Sequence, residues 1–247
     1  MRLLPALLFT ACSAVAFQAA AGAWTQKAGH GQIILNALYY STKTLYTNQG
    51  SKQAQSRYSK YEINPYFEYG LTDAITIGSN LSFQHARQNT SPLTYNSGSG
   101  DSEFFARARL WQQDGFVVSL EPMFKLPSPD LTGASPKLGG QHPDIGMGLS
   151  AGYGFSALGQ HHFVNADVGY RKRFGAPENQ IKWAGTLGMG INDRLMIMPQ
   201  VFVTYRTDKP ANVTFKQTSG DDYNLVKLQI SGVYTITSDV SLQLGAF

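Results

Sequence analysis

The chain of 247 residues holds one cysteine, Cys12, and it lies in the first apolar stretch. Beyond that stretch there is no thiol, so neither a disulfide nor cysteine chemistry is open to the rest of the protein. Charge is scarce as well. Asp, Glu, Lys and Arg make up 15% of the residues, against roughly 25% in soluble domains. A soluble protein this poor in charge needs a large dry core. Yet no later run approaches the roughly 18 consecutive apolar residues of a membrane helix. The formal charge of +4 is slight and dispersed, and gives no basis for a nucleic-acid surface. There is no P-loop and no clustered zinc motif.

What is present begins with an export signal. Arg2 supplies the positive start, Leu3 to Phe17 is mostly apolar, and Ala21-Gly22-Ala23 places small residues before a cut at Trp24. Residues 1–23 are expected to be removed, and the apolar part is too short for a spanning helix. Removing Arg2 lowers the charge from +4 to +3. Phe9-Thr10-Ala11-Cys12 is a poor lipidation signal, because Phe9 stands where Leu is usual and the apolar run continues past Cys12. Residues 24–247 have even turn spacing and no linker, and read as one domain.

That domain is built from short segments that alternate apolar and polar residues between Gly, Asp, Asn and Ser. In Tyr58 to Gly70, Tyr61, Ile63, Phe67 and Tyr69 share one parity, and Lys60, Glu62, Asn64 and Glu68 share the other. Successive side chains of a strand point to opposite faces, so each such segment has one greasy and one polar face. Ten more segments can be read: Gln32 to Tyr46, Ala74 to Ala86, Ser102 to Trp111, Phe116 to Leu126, Ile145 to Phe155, His162 to Arg173, one around Trp183 to Ile191, Leu195 to Arg206, Tyr223 to Tyr234, and Val240 to Phe247. Short turns such as Gln113-Asp114-Gly115 alternate with long polar loops at 87–100, 127–143 and 207–222. A soluble sandwich has no reason to sort its loops by parity; an outer-membrane barrel does. The expected fold is therefore an all-β antiparallel transmembrane β-barrel of about 12 strands. Eleven are counted, so either one segment is miscounted or a closing strand is missing after Phe247. Pro65, Pro122 and Pro199 fall mid-strand on the apolar parity, where bulges are expected.

With the apolar parity against lipid, the other parity lines the lumen. It collects Lys60, Arg107, Arg109, Lys125, Arg171, Arg173, Lys182, Arg206 and Lys227, against Glu62, Glu68, Glu103, Glu121 and Asp167. Such a set either forms a mildly cationic selectivity lining or pairs across strands to fill a narrow interior. Phe105, Trp111, Met123, Met196, Met198 and Phe202 also fall inward, as an apolar slide or as packing near the ends. Tyr39, Tyr40, Tyr69, Tyr153, Phe155, Trp183, Tyr205 and Tyr234 suit interfacial girdles. The adjacent His161 and His162 face opposite sides of a strand and cannot chelate one metal together. His142 and Asp144 form an acid–imidazole pair in a loop, more simply read as solvated than as a general base. No histidine has a nucleophilic serine two positions on, so no enzyme, cofactor or metal is expected.

Several patches resemble a known family. Gly100-Asp101-Ser102-Glu103-Phe104, Arg107-Ala108-Arg109-Leu110 and Asp114 to Pro122 carry the likeness, together with Ala23-Trp24-Thr25, Glu68 to Asp73, Lys125-Leu126-Pro127 and Gly169-Tyr170-Arg171. They resemble the family called "putative MetA-pathway of phenol degradation", and specificity lies in their order. The resemblance implies an outer-membrane barrel with a transporter-like role, and supplies no substrate residues. The function expected is passive uptake of small apolar or aromatic molecules, with the long loops controlling access. The alternative is a structural or adhesive barrel with a plugged lumen and loop-mediated contacts. The implied partners are outer-membrane lipid and lipopolysaccharide, the barrel-assembly machinery and the solute.

Overall fold

The structure, a computed structural model, describes residues 8–13, 22–46, 52–128, 135–140, 142–175, 177–207 and 224–247. Most of the signal segment, the middle of the 127–143 loop, nearly all of the 207–222 loop and Tyr223 lie outside the described residues.

The strands are β1 (Leu8–Ser13), β2 (Gly31–Tyr46), β3 (Lys52–Thr72), β4 (Ile75–Asn80), β5 (Phe83–Gln88), β6 (Thr94–Ser99), β7 (Ser102–Gln113), β8 (Phe116–Leu126), β9 (Asp144–Ala157), β10 (Gln160–Arg173), β11 (Gln180–Asn192), β12 (Leu195–Arg206), β13 (Leu225–Thr237) and β14 (Val240–Ala246). All fourteen belong to one sheet. The named pairings are antiparallel, and the sheet closes because β2 pairs with both β1 and β3 while β1 pairs with β14. Closure removes the free edges that hydrocarbon does not tolerate. The fold is an antiparallel β-barrel of the transmembrane kind. β4 and β5 act as one interrupted wall strand, each pairing with a different half of β3. The next position is shared in the same way, β7 pairing with β4 and β6 with β5. Counted that way, the fourteen strands occupy twelve wall positions. The seam between β2 and β14 is filled by β1, which lies inside the segment that carries the export signature.

The eleven segments read from the sequence are all strands. β6 is additional, a six-residue strand inside the expected 87–100 loop. The outer face carries the apolar parity: Leu228 is 69% exposed, Val226 62% and Ile230 60% on β13, with the intervening Lys227 and Gln229 partly buried. Aromatic ladders mark both ends of this face. At the short-turn end Phe116 stacks on Tyr153 at 4.1 Å, and Phe155 on His162 at 5.3 Å. At the loop end Tyr39 meets Tyr61 at 4.7 Å, and His85 lies between Tyr61 and Tyr95 at 6.5 and 6.4 Å.

The prolines differ from expectation. None of them inserts a bulge. Each proline, with the residue before it, opens a two-residue gap in one of its two ladders, without changing the register on either side. A missing N–H removes one bond of a pair but does not require an extra residue. The gap opposite Pro65 coincides with the break between β4 and β5 at Leu81-Ser82, where Leu81 N still donates to Pro65 O at 2.9 Å. The bulges lie near strand ends instead, one of them between Arg109 and Trp111. That bulge reverses the parity beyond Leu110. Trp111, expected inside, is 48% exposed on the outer face beside Phe116.

Candidate functional site

The interior of the barrel is crossed by the segment that precedes β2. Ala23 N donates to Asn165 Oδ1 at 3.0 Å, and Ser119 Oγ donates to Ala23 O at 2.5 Å. Arg107 Nη1 donates to Trp24 O at 3.0 Å. Gln26 N donates to Thr76 Oγ1 at 2.8 Å, and Gln26 Nε2 to Glu68 Oε2 at 2.7 Å. Thr25 Oγ1 and Ala28 N hold the turn residue Asp73. The strap thus ties β3, β4, β7, β8 and β10 together near the short-turn end. An irregular backbone inside a barrel must find such partners, because no ladder serves it. Beside the strap an open cavity of about 230 Å³ is lined by Trp24, Thr25, Lys27, Asp73, Arg109, Gln112 and Val117.

The room for the strap comes from β9, whose inward row is Gly146, Gly148, Ser150, Gly152 and Gly154. A Cβ on Gly152 would strike the Trp24 indole. That indole packs edge-on against Phe163, with ring centroids 5.7 Å apart. Phe163, Met198 and Val233 form a buried apolar cluster, with Trp24 and Met196 packed against it.

The inward charges are arranged in paired groups. At the strap, Arg107 binds Glu68 and Glu121 at 2.7 Å each, and Tyr66 OH donates to Glu68. Further toward the loops, Lys125 lies 3.0 Å from Asp101 and 3.1 Å from Asp144, and Arg171 lies 2.6 Å from Glu103. Asp144, which is 1% exposed, is also approached by Arg171 at 3.7 Å and Arg173 at 3.8 Å. Lys182 sits in the combined field of Arg171, Glu103, Asp144 and Arg173. Elsewhere Lys60 pairs with Glu62 at 2.6 Å, and Asn64, Ser82 and Gln84 all donate to that carboxylate. Arg206 lies 3.5 Å from Glu178, and Lys227 lies over the rings of Phe202 and Phe247. Arg109 bonds Gln112, and Asp167 accepts from Asn165. Of the inward apolar residues, Phe105 stacks on Tyr66, and Met123 fills the space over Gly146.

Some of these residues were not evident from the sequence. Asp144 is committed to Lys125, Arg171 and Arg173, rather than paired with His142 in a loop as the spacing suggested. Its signal was its parity with Gly146, one step before the assigned segment. Asp101 precedes Glu103 in the same way and accepts from Lys125 Nζ, Ser128 N and Gly140 N. Nothing in the strap's own residues places them inside the bore; the glycine row opposite is their trace in the wall. Among the described residues no group of His, Cys, Asp and Glu could hold a metal ion.

The bore is charged and crossed by a strap of its own chain, and the fold is a closed antiparallel barrel with an apolar exterior. Among solved structures, the COG4313 outer membrane channel from Pseudomonas putida F1 has this fold. The match has a TM-score of 0.61 at 13% identity, covering 94% of this chain and 98% of that one. No protein-family model matches the chain, and no curated protein matches it in sequence.

Proposed function

We propose that this protein is an outer-membrane channel for passive uptake of small apolar or aromatic molecules. The observation that carries the membrane part is the outer face. Soluble monomers rarely expose contiguous apolar patches beyond a few hundred Å², whereas here large apolar side chains are exposed on every wall strand from β2 to β14. The channel part is supported by the shared fold of the Pseudomonas putida channel. The solute class is supported by the family resemblance and by the buried apolar cluster set into a largely polar bore. Conductance in planar bilayers, with flux of an aromatic solute into liposomes, tests it; neither conductance nor flux would leave the second reading. That reading, a structural or adhesive barrel, is favoured by one observation, the strap across the bore. We expect Arg109→Gln to change permeability in a channel and mainly stability in a plugged barrel.

Two results follow from the membrane placement. Leu228→Arg will destabilise the folded barrel in lipid by about 2–4 kcal/mol, as expected for a cation at the bilayer midplane. In a soluble protein the same exposed change would stay within about 0.5 kcal/mol. Urea titration in vesicles measures it. Intact mass of the exported protein will correspond to a chain starting at Trp24, which removes β1 and leaves β2 and β14, both antiparallel to it, to meet directly at the seam. A mass retaining residues 1–23 would show that β1 stays in the wall and that the leader reading is wrong.

A further inference from the structure

We infer that the lumen cluster of Phe163, Met198, Val233 and Met196 is a binding site for a neutral aromatic ring of about indole size. In this structure Trp24 occupies it as an internal ligand. The inference rests on the channel reading and adds to it a specific subsite and its mode of control.

Elsewhere in the bore the apolar residues, such as Phe105 and Met123, fill space against Tyr66 and Gly146, and most positions are polar. Those polar positions carry paired charges, amides, hydroxyls and glycines, and these suit water or ions. Phe163, Met198 and Val233 are 8%, 4% and 7% exposed, and they come from β10, β12 and β13, so the pocket is a feature of the wall and not of the strap. A ring is the group that fits it. Phe163 offers an edge-on contact at 5.7 Å and 79°, a favoured aromatic geometry. The two methionines offer polarizable sulfur, which favours aromatic partners. The floor is Gly152, where any side chain would collide with the indole. A slot that admits a flat ring and excludes even a methyl group on its glycine side is shaped for a planar ligand.

The occupant is held by bonds that can be exchanged. Apart from its ring, Trp24 is tied through its carbonyl to Arg107, and its neighbours Ala23 and Gln26 are tied to Asn165, Ser119, Thr76 and Glu68. These are side-chain contacts to backbone or amide groups, with no ladder among them, and water can replace them. The sequence also places a leader cut at Ala23–Trp24, which would remove Ala23 with its two bonds and leave Trp24 as the free end of the strap. An aromatic solute arriving in the bore then competes with Trp24 for one pocket, and its binding displaces the segment that blocks the way. Occupancy by Trp24 lowers the apparent affinity of a ligand by the fraction of time the pocket is vacant.

The test uses the exported barrel purified in detergent, with indole itself as the probe and calorimetry as the readout. Trp24→Ala will bind indole at least about tenfold more tightly than wild type, because an apolar cavity left by a ring accepts a small aromatic. The double variant Trp24→Ala with Gly152→Val will lose that gain, since the valine projects into the vacated slot. Heat-modifiable electrophoretic mobility verifies that both variants are folded. Folded Trp24→Ala that binds indole no better than wild type overturns the inference, as does full binding by the double variant. Planar-bilayer recording separates this from the channel reading. Tight indole binding by Trp24→Ala without conductance in any variant would retain the pocket and remove the channel. Conductance with no gain in indole binding would retain the channel and remove the pocket.

Discussion

Arg107→Met will cost the barrel about 3–5 kcal/mol, the range seen when one partner of a buried ion pair is removed. Arg107 is 3% exposed and Glu68 5% exposed, so solvent cannot take over when the guanidinium is lost. Three contacts fail together: the bridge to Glu68, the bridge to Glu121, and the bond to Trp24 O. Glu68 would keep Tyr66 and Gln26 as donors but no cation. Combining Arg107→Met with Glu68→Gln will recover part of the loss, because the second change removes the stranded carboxylate. Arg107→Lys will recover less than the charge alone suggests, since an ammonium cannot span two carboxylates and a carbonyl as a planar fork does. Urea unfolding in vesicles gives the values by linear extrapolation. A loss below about 1 kcal/mol, the scale of an exposed pair, would mean that water reaches this group freely.

Asp144→Asn has the second large effect, and it is one of sign as well as size. Asp144 is the shared anion of Lys125, Arg171 and Arg173, with Lys182 in the same field. Neutralising it leaves the upper bore one positive unit richer. At an effective dielectric of about 20, one charge at 4 Å is worth about 4 kcal/mol before screening. We therefore expect anion-over-cation permeability to rise at least about threefold, read as a shift of reversal potential in a KCl gradient, together with reduced stability. Screening by salt will shrink the shift at 1 M KCl relative to 0.1 M. An unchanged reversal potential in a conducting variant would place this cluster off the permeation path.

The wall was legible because strand physics repeats every two residues, and lipid and lumen apply opposite selection to the two parities. On β13, Val226, Leu228 and Ile230 against Lys227 and Gln229 could be read directly, and the exposures follow the same alternation. The reading failed where the period is broken. Trp111 left the bore because a bulge two residues earlier reset the count, and no residue type announces such a bulge. The prolines misled in the other direction, since a ladder tolerates a missing donor by leaving a gap. Asp144 falls between the expected loop and the segment expected from Ile145, although its parity matches the glycine row and the strand begins there. The strap could not be read at all. Its bonds run from Ala23 to Asn165 and from Trp24 to Arg107, over separations of 142 and 83 residues, and no local pattern encodes them. The seam is the remaining surprise, because a segment with the character of a leader supplies the strand that closes the ring.

One wall separates hydrocarbon from a polar interior, residue by residue. Single cysteines placed in turn at positions 226 to 230, in a Cys12→Ser background, carry a spin label whose access to oxygen and to a water-soluble nickel chelate is measured in lipid vesicles. High oxygen access at 226, 228 and 230, with low oxygen access at 227 and 229, is the predicted result. Access that is uniform along the strand, or that repeats with a period near 3.6 residues, would contradict it.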